Sequence, residues 1–73
     1  MKTYITFGQS HTHHMNGQLF DKDCVAIIEA PDKHQGRQLA HKFFGTAFCF
    51  SYPENNFDFT TMRYYPRGFI QTN

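Results

Sequence analysis

Four residues in the first third of the chain have types and spacing that could hold a metal ion: His11, His13, Asp21 and Asp23. On a strand, side chains alternate between faces, so His11 and His13 of the segment His11-Thr12-His13 point the same way. Two imidazoles at that spacing can converge on one ion at roughly 2.0–2.1 Å each. Asp21 and Asp23 share a face by the same rule. Between the two pairs lies Asn16-Gly17, the strongest short-range hairpin signal in the sequence. A three-residue loop, Asn16-Gly17-Gln18, sets His13 opposite Asp21 and His11 opposite Asp23, a mixed nitrogen and oxygen site suited to zinc. A two-residue loop turns the aspartates to the other face and brings Phe20, Lys22 and Cys24 onto the histidine face. A plainer reading fits the same residues: a polar hairpin surface whose histidines and aspartates form ordinary ion pairs worth ~0–1 kcal/mol.

The remaining histidines add little to such a site. His14 has the opposite parity, and His34 and His41 fall on a helix whose exposed side they occupy. A metal held by the hairpin would be structural. Hydrolysis needs an open coordination position, a concave pocket and a general base, and 73 residues supply little wall for a pocket. The chain is therefore read as a non-enzyme.

The elements that must position these residues follow from periodicity and punctuation. Residues 3–14 open with Thr3-Tyr4-Ile5-Thr6-Phe7, an alternation that predicts a strand. After the hairpin turn, Leu19-Phe20 and Cys24-Val25-Ala26-Ile27-Ile28 form the return strand, whose apolar run suits the sheet centre. Ala30-Pro31-Asp32 starts a helix, with Asp32 complementing its positive end. Gly36, Leu39, Ala40, Phe43 and Phe44 recur at helical spacing, and Gly45 is the stop. Gly36 is a poor helix former, so its presence points to close helix–sheet approach. Residues 47–52 read as a third strand ended by Pro53. Residues 57–61 fit either a short helical turn or irregular chain. Met62-Arg63-Tyr64-Tyr65 reads as a strand, Pro66-Arg67-Gly68 as a turn, and Phe69-Ile70-Gln71 as a last strand. The expected fold is α+β: one domain over residues 1–73, in the order β-β-α-β-β-β, with one helix on an antiparallel or mixed sheet of four to five strands.

Composition narrows the function classes. Forty per cent hydrophobic and 18% aromatic content is far from the signature of disorder. A domain this small buries only about 60–65% of its unfolded surface, so heavy aromatic packing, here nine Phe and four Tyr, must carry much of its stability. The net charge of +1 gives no bulk field toward nucleic acid and argues against mimicry of DNA, which needs a strongly acidic surface. Protonation of all five histidines raises it to about +6. Met1-Lys2 leads directly into strand-like alternation, not into an apolar leader, and no apolar run approaches the ~20 residues of a membrane span. An intracellular, reducing setting is expected, with Cys24 and Cys49 as buried thiols.

Toward the C-terminal end, Phe57, Phe59, Tyr64, Tyr65 and Phe69 alternate with Arg63 and Arg67. Such interleaving can stack on single-stranded bases and neutralise phosphates. It can equally fill a sheet–helix core with arginines at the rim, or leave an exposed subset as a protein-binding hot spot. Low net charge and the lack of an RNA-binding motif favour the core reading.

Several segments together resemble a group of short phage and prophage proteins. They are Tyr4-Ile5-Thr6-Phe7-Gly8-Gln9-x-His11-x-His13, Asn16-Gly17, Phe20-Asp21-Lys22-Asp23-Cys24-Val25-Ala26 and Tyr64-Tyr65-Pro66-Arg67-Gly68. The chain is similar to small type II-A anti-CRISPR proteins, which inhibit Cas9 and include a zinc-containing member. The resemblance implies an anti-defence protein of the host cell cytoplasm that binds host Cas9 or its guide complex and blocks it sterically. It also implies a structural zinc in the histidine hairpin. The alternative is a small phage regulator that binds nucleic acid.

Overall fold

The computed structural model describes all residues from Met1 to Asn73. Its centre is a pair of largely buried strands, β1 (Lys2–Thr6) and β4 (Cys24–Glu29), paired antiparallel with Thr3 opposite Ile28 and Ile5 opposite Ala26. Between them in sequence, β2 (His13–Met15) and β3 (Gln18–Phe20) form a separate two-stranded hairpin. The helix α1 (Lys33–Phe44) then leads to β5 (Phe50–Pro53), which joins the free edge of β1. Two 3-10 segments, Glu54–Asn56 and Phe59–Tyr64, carry the chain to β6 (Gly68–Gln71). β6 pairs parallel with β4, and the sheet order is β5-β1-β4-β6. The architecture is α+β, with a mixed four-stranded sheet, a second small sheet and one helix.

Strand alternation divides the central residues between two cores. Toward α1 point Ile5, Cys24, Ala26 and Ile28, closed over by Ala40 and Phe44 of the helix. Phe20 from the hairpin and Phe7 meet Phe44 in this core, with ring centroids 5.1 Å from Phe44 in each case. Each fully buried aromatic or aliphatic side chain contributes about 1.5–3 kcal/mol, so these rings hold the hairpin to the domain. The opposite face carries Tyr4 and Val25, covered by Phe57 with Met62 and Tyr65 packed beside it. The two connections thus run over opposite faces: α1, between inner strand β4 and edge strand β5, covers one, and residues 54–67, between the edges β5 and β6, cover the other.

Local chemistry explains the helix. Asp32 is the N-cap, its carboxylate accepting the Gln35 N–H at 2.8 Å, and Gly45 closes the other end at φ 60°. Pro31 lies just before the cap, outside the helix. Gly36 is buried against Thr3, and a β-carbon there would collide with the Thr3 side chain, which accounts for glycine inside a helix.

Four expected strands need correction, the first being the return strand, which residues 21–23 divide into β3 and β4 of different sheets. β1 ends at Thr6, and Gly8–Ser10 turn the chain before β2 begins at His13, so residues 3–14 are not one strand. β5 starts at Phe50, three residues later than periodicity suggests. Met62–Tyr64 belong to a 3-10 segment, not to a strand. Asp58 caps that segment through its side chain, accepting from the Thr60 N–H at 3.0 Å and the Thr60 hydroxyl at 2.6 Å. These bonds hold the Asp58 carboxyl below the usual carboxylate range.

Candidate functional site

The histidine hairpin has a two-residue turn. Asn16 and Gly17 both take positive φ, 54° and 78°, as the tight turn of a right-twisted hairpin requires. The resulting register sets His13 opposite Phe20, His14 opposite Leu19 and Met15 opposite Gln18. The arrangement with His13 opposite Asp21 and His11 opposite Asp23 needs a longer loop and is not formed. His11 lies in the irregular link before β2. The His13 ring instead packs edge-on against Phe44, with centroids 5.2 Å apart.

Asp21 and Asp23 lie beyond β3, in the turn into β4, and each has a structural partner. Asp21 Oδ1 accepts the Asp23 N–H at 3.0 Å and the Arg67 guanidinium at 3.1 Å. The Asp23 N–H and then the arginine hold the Asp21 carboxyl below its ordinary value, against the opposing effect of burial. A second bond, from the Arg67 N–H to the Asp23 carbonyl at 2.9 Å, ties the entry of β6 to this turn. Asp23 itself pairs with Lys22 at 3.2 Å on the exposed side. Cys24 is fully buried, and burial raises its thiol pKa, which disfavours the thiolate that a metal requires. No group of three or more His, Cys, Asp or Glu side chains is arranged to hold a metal ion. Cys49, expected to be buried, is exposed, because it precedes β5 and lies outside both cores.

The more continuous surface feature is aromatic. From the β5 edge inward, Phe50 lies 5.9 Å from Tyr52, Tyr52 lies 5.7 Å from Phe57, and Phe57 lies 5.2 Å from Phe59, centroid to centroid. Phe59 then meets Phe69 of β6 at 6.2 Å, and Tyr4 lies beneath, stacked on Phe57 at 4.7 Å. One unbroken run of rings therefore crosses the sheet face opposite α1. Tyr4 and Phe57 are buried and Tyr52 is half-buried, whereas Phe50, Phe59 and Phe69 are 57%, 52% and 41% exposed.

Beside this run, Tyr64 is 64% exposed and carries the Arg63 guanidinium 5.0 Å above its ring centre. Tyr64, Tyr65, Tyr52 and Phe50 form much of the wall of a hollow of about 270 Å³, with Cys49 and Lys22 at its margin. A second hollow of about 220 Å³ shares Thr6, Tyr52, Tyr64 and Tyr65 with it. Burial raises the Tyr65 phenol pKa, with smaller contributions from Tyr52 and Cys49, so the group remains a neutral hydrogen-bond donor.

Sequence periodicity identified the rings at 57–69 but missed Phe50 and Tyr52 as their neighbours, because the β5 register depends on pairing with β1. The one local signal for the 3-10 segment is Asp58 two residues before Thr60, a side-chain cap. No helix is long and apolar enough to cross a membrane. No protein-family model, curated protein or solved structure matches the chain.

Proposed function

We propose that this protein is a binding module that docks a protein partner through the aromatic face formed by Phe50, Phe59, Tyr64 and Phe69. The observation that carries the reading is the exposure of four large rings on one side of a small domain, flanked by Arg63. Isolated exposed apolar residues are ordinary, but a contiguous run rimmed by polar groups marks an interaction surface. Tyr and Arg are also the residue types that most often dominate interface energetics. The partner implied by the sequence resemblance is host Cas9 or its guide complex, met in the host cytoplasm. A near-neutral domain would act there by occupying a surface, as a steric block, and not by imitating the charge of DNA.

The test is co-purification with Cas9 and inhibition of target-DNA cleavage, each repeated with the double variant Phe59→Ala/Tyr64→Ala. Both residues are exposed, so the variant should fold while capture and inhibition fall by tenfold or more, as loss of ~1.4 kcal/mol or more demands. No capture by Cas9 would remove that partner.

A second reading, a regulator that binds single-stranded nucleic acid, draws on the tyrosine-lined hollow with Lys22 at its margin. Gel shifts on single- and double-stranded DNA and RNA, repeated across salt concentrations, separate the two readings.

A further inference from the structure

On the other side of the sheet, the first turns of α1 carry Lys33, His34 and Arg37 along one flank, at the spacing that makes side chains neighbours on a helix. With Thr3, Ser51 and Pro53 they line a hollow of about 240 Å³ between the helix and the edge strand β5. Apart from Pro53 and the His34 imidazole its wall has no aliphatic or aromatic side chain. Neither cation has an acidic partner: the two ion pairs of the fold join Lys22 to Asp23 and Arg67 to Asp21. The nearest carboxylate on the same element, Asp32, is engaged with the Gln35 backbone N–H and side-chain amide.

Two further features bear on the same place. The hollow adjoins the positive end of a twelve-residue helix, where the first backbone N–H groups lack intrahelical acceptors. Thr3, only 2% exposed, carries the one buried side-chain polar atom in the fold without a hydrogen-bond partner. A buried hydroxyl left unpaired is unfavourable, so an acceptor delivered to this wall would relieve it.

We infer that this hollow binds a phosphate group. Arg37 offers a planar fork for two phosphate oxygens, Lys33 a second positive charge, and His34 and Ser51 hydrogen bonds from opposite walls. With the exposed His34 imidazole as its one ring and no Phe, Tyr or Trp, the hollow offers little platform for a base, and its paired cations favour recognition of the phosphate itself. This site is independent of the aromatic face, which lies across the sheet. The phosphate could be a free or terminal monoester or a backbone phosphodiester, and the experiment distinguishes them.

The full chain, labelled with nitrogen-15, is titrated with inorganic phosphate at constant ionic strength while amide shifts are followed. Saturable shifts at Thr3, Lys33, His34 and Arg37 are expected. Lys33→Gln/Arg37→Gln, both at exposed positions, should keep the native spectrum and bind about tenfold more weakly or worse, the effect of losing a charge-assisted bond. A parallel titration uses oligothymidylate lacking terminal phosphates. Shifts at the same amides with this probe assign the site to a phosphodiester, and shifts with inorganic phosphate alone assign it to a monoester. Shifts that sodium chloride reproduces, or that persist undiminished in the folded double variant, would overturn the site.

Discussion

The side chain of Thr3 fills the space that a β-carbon on Gly36 would need, so strand β1 and helix α1 touch at this point through a hydroxyl and a bare backbone. Gly36→Ala should destabilise the protein by about 1–3 kcal/mol through overpacking. The ~1 kcal/mol gained from alanine's better helix propensity offsets only part of this loss. Thr3→Ala/Gly36→Ala should be more stable than Gly36→Ala alone. Urea denaturation of the four proteins of this cycle measures the coupling.

Acidification should weaken the fold through Asp21. Its folded pKa is depressed by the Asp23 N–H and by Arg67. A depressed carboxyl contributes stability that is present above the ordinary value near 3.9 and is lost as pH falls through the folded value. Asp21→Asn should therefore lose less stability than wild type between about pH 4 and pH 2, with a difference of up to ~1 kcal/mol for a partly exposed pair. Thermal unfolding at stepped pH reads this directly.

At alkaline pH the sign reverses and the group changes. Burial raises the Cys24 thiol pKa, so the folded state resists deprotonation that the unfolded chain accepts from about pH 8.5. Stability should fall as pH rises above that point. The same burial predicts the thiol count: a disulfide exchange reagent at neutral pH should titrate Cys49 alone, and both thiols only in denaturant. Rapid reaction of both in the native protein would contradict the burial of Cys24.

Within the histidine hairpin the two same-parity imidazoles should behave differently. His13 rests on Phe44, whereas His11 lies in an irregular link. His13→Ala should cost about 1 kcal/mol from lost ring packing, and His11→Ala less than about 0.5 kcal/mol. The same differences are expected with and without a chelator. A loss that appears only in zinc-containing buffer would place an ion in the hairpin.

What could be read from the sequence depended on whether a signal was local. Asn16-Gly17, Asp32, Gly36 and Gly45 each state a backbone requirement within a few residues, and each is met in the fold. Apolar runs marked β4 as central because it is covered on both faces. The pairing of His13 with Asp21 and of His11 with Asp23 hinged on loop length, and the two-residue turn sets His13 opposite Phe20 instead. Met62–Tyr64 have strand-like composition, yet the Asp58 cap and packing of Met62 over Tyr4 and Val25 wind them into a 3-10 segment. The hollow at Lys33 and Arg37 was invisible because its opposite wall, Ser51 and Pro53, is brought there by pairing with β1.

Both outer strands of the main sheet come from the last third of the chain: β5 pairs Pro53 with Thr3, and β6 pairs Phe69 with Val25. The inner strands β1 and β4 therefore leave a ribosome with only each other to pair with, before either outer neighbour has been made. Until then their greasy segments are open to pairing with other nascent chains. Assembly is consequently late and dominated by distant partners, a topology that favours slow folding and makes expression temperature and chaperone supply matter more than the domain's size suggests.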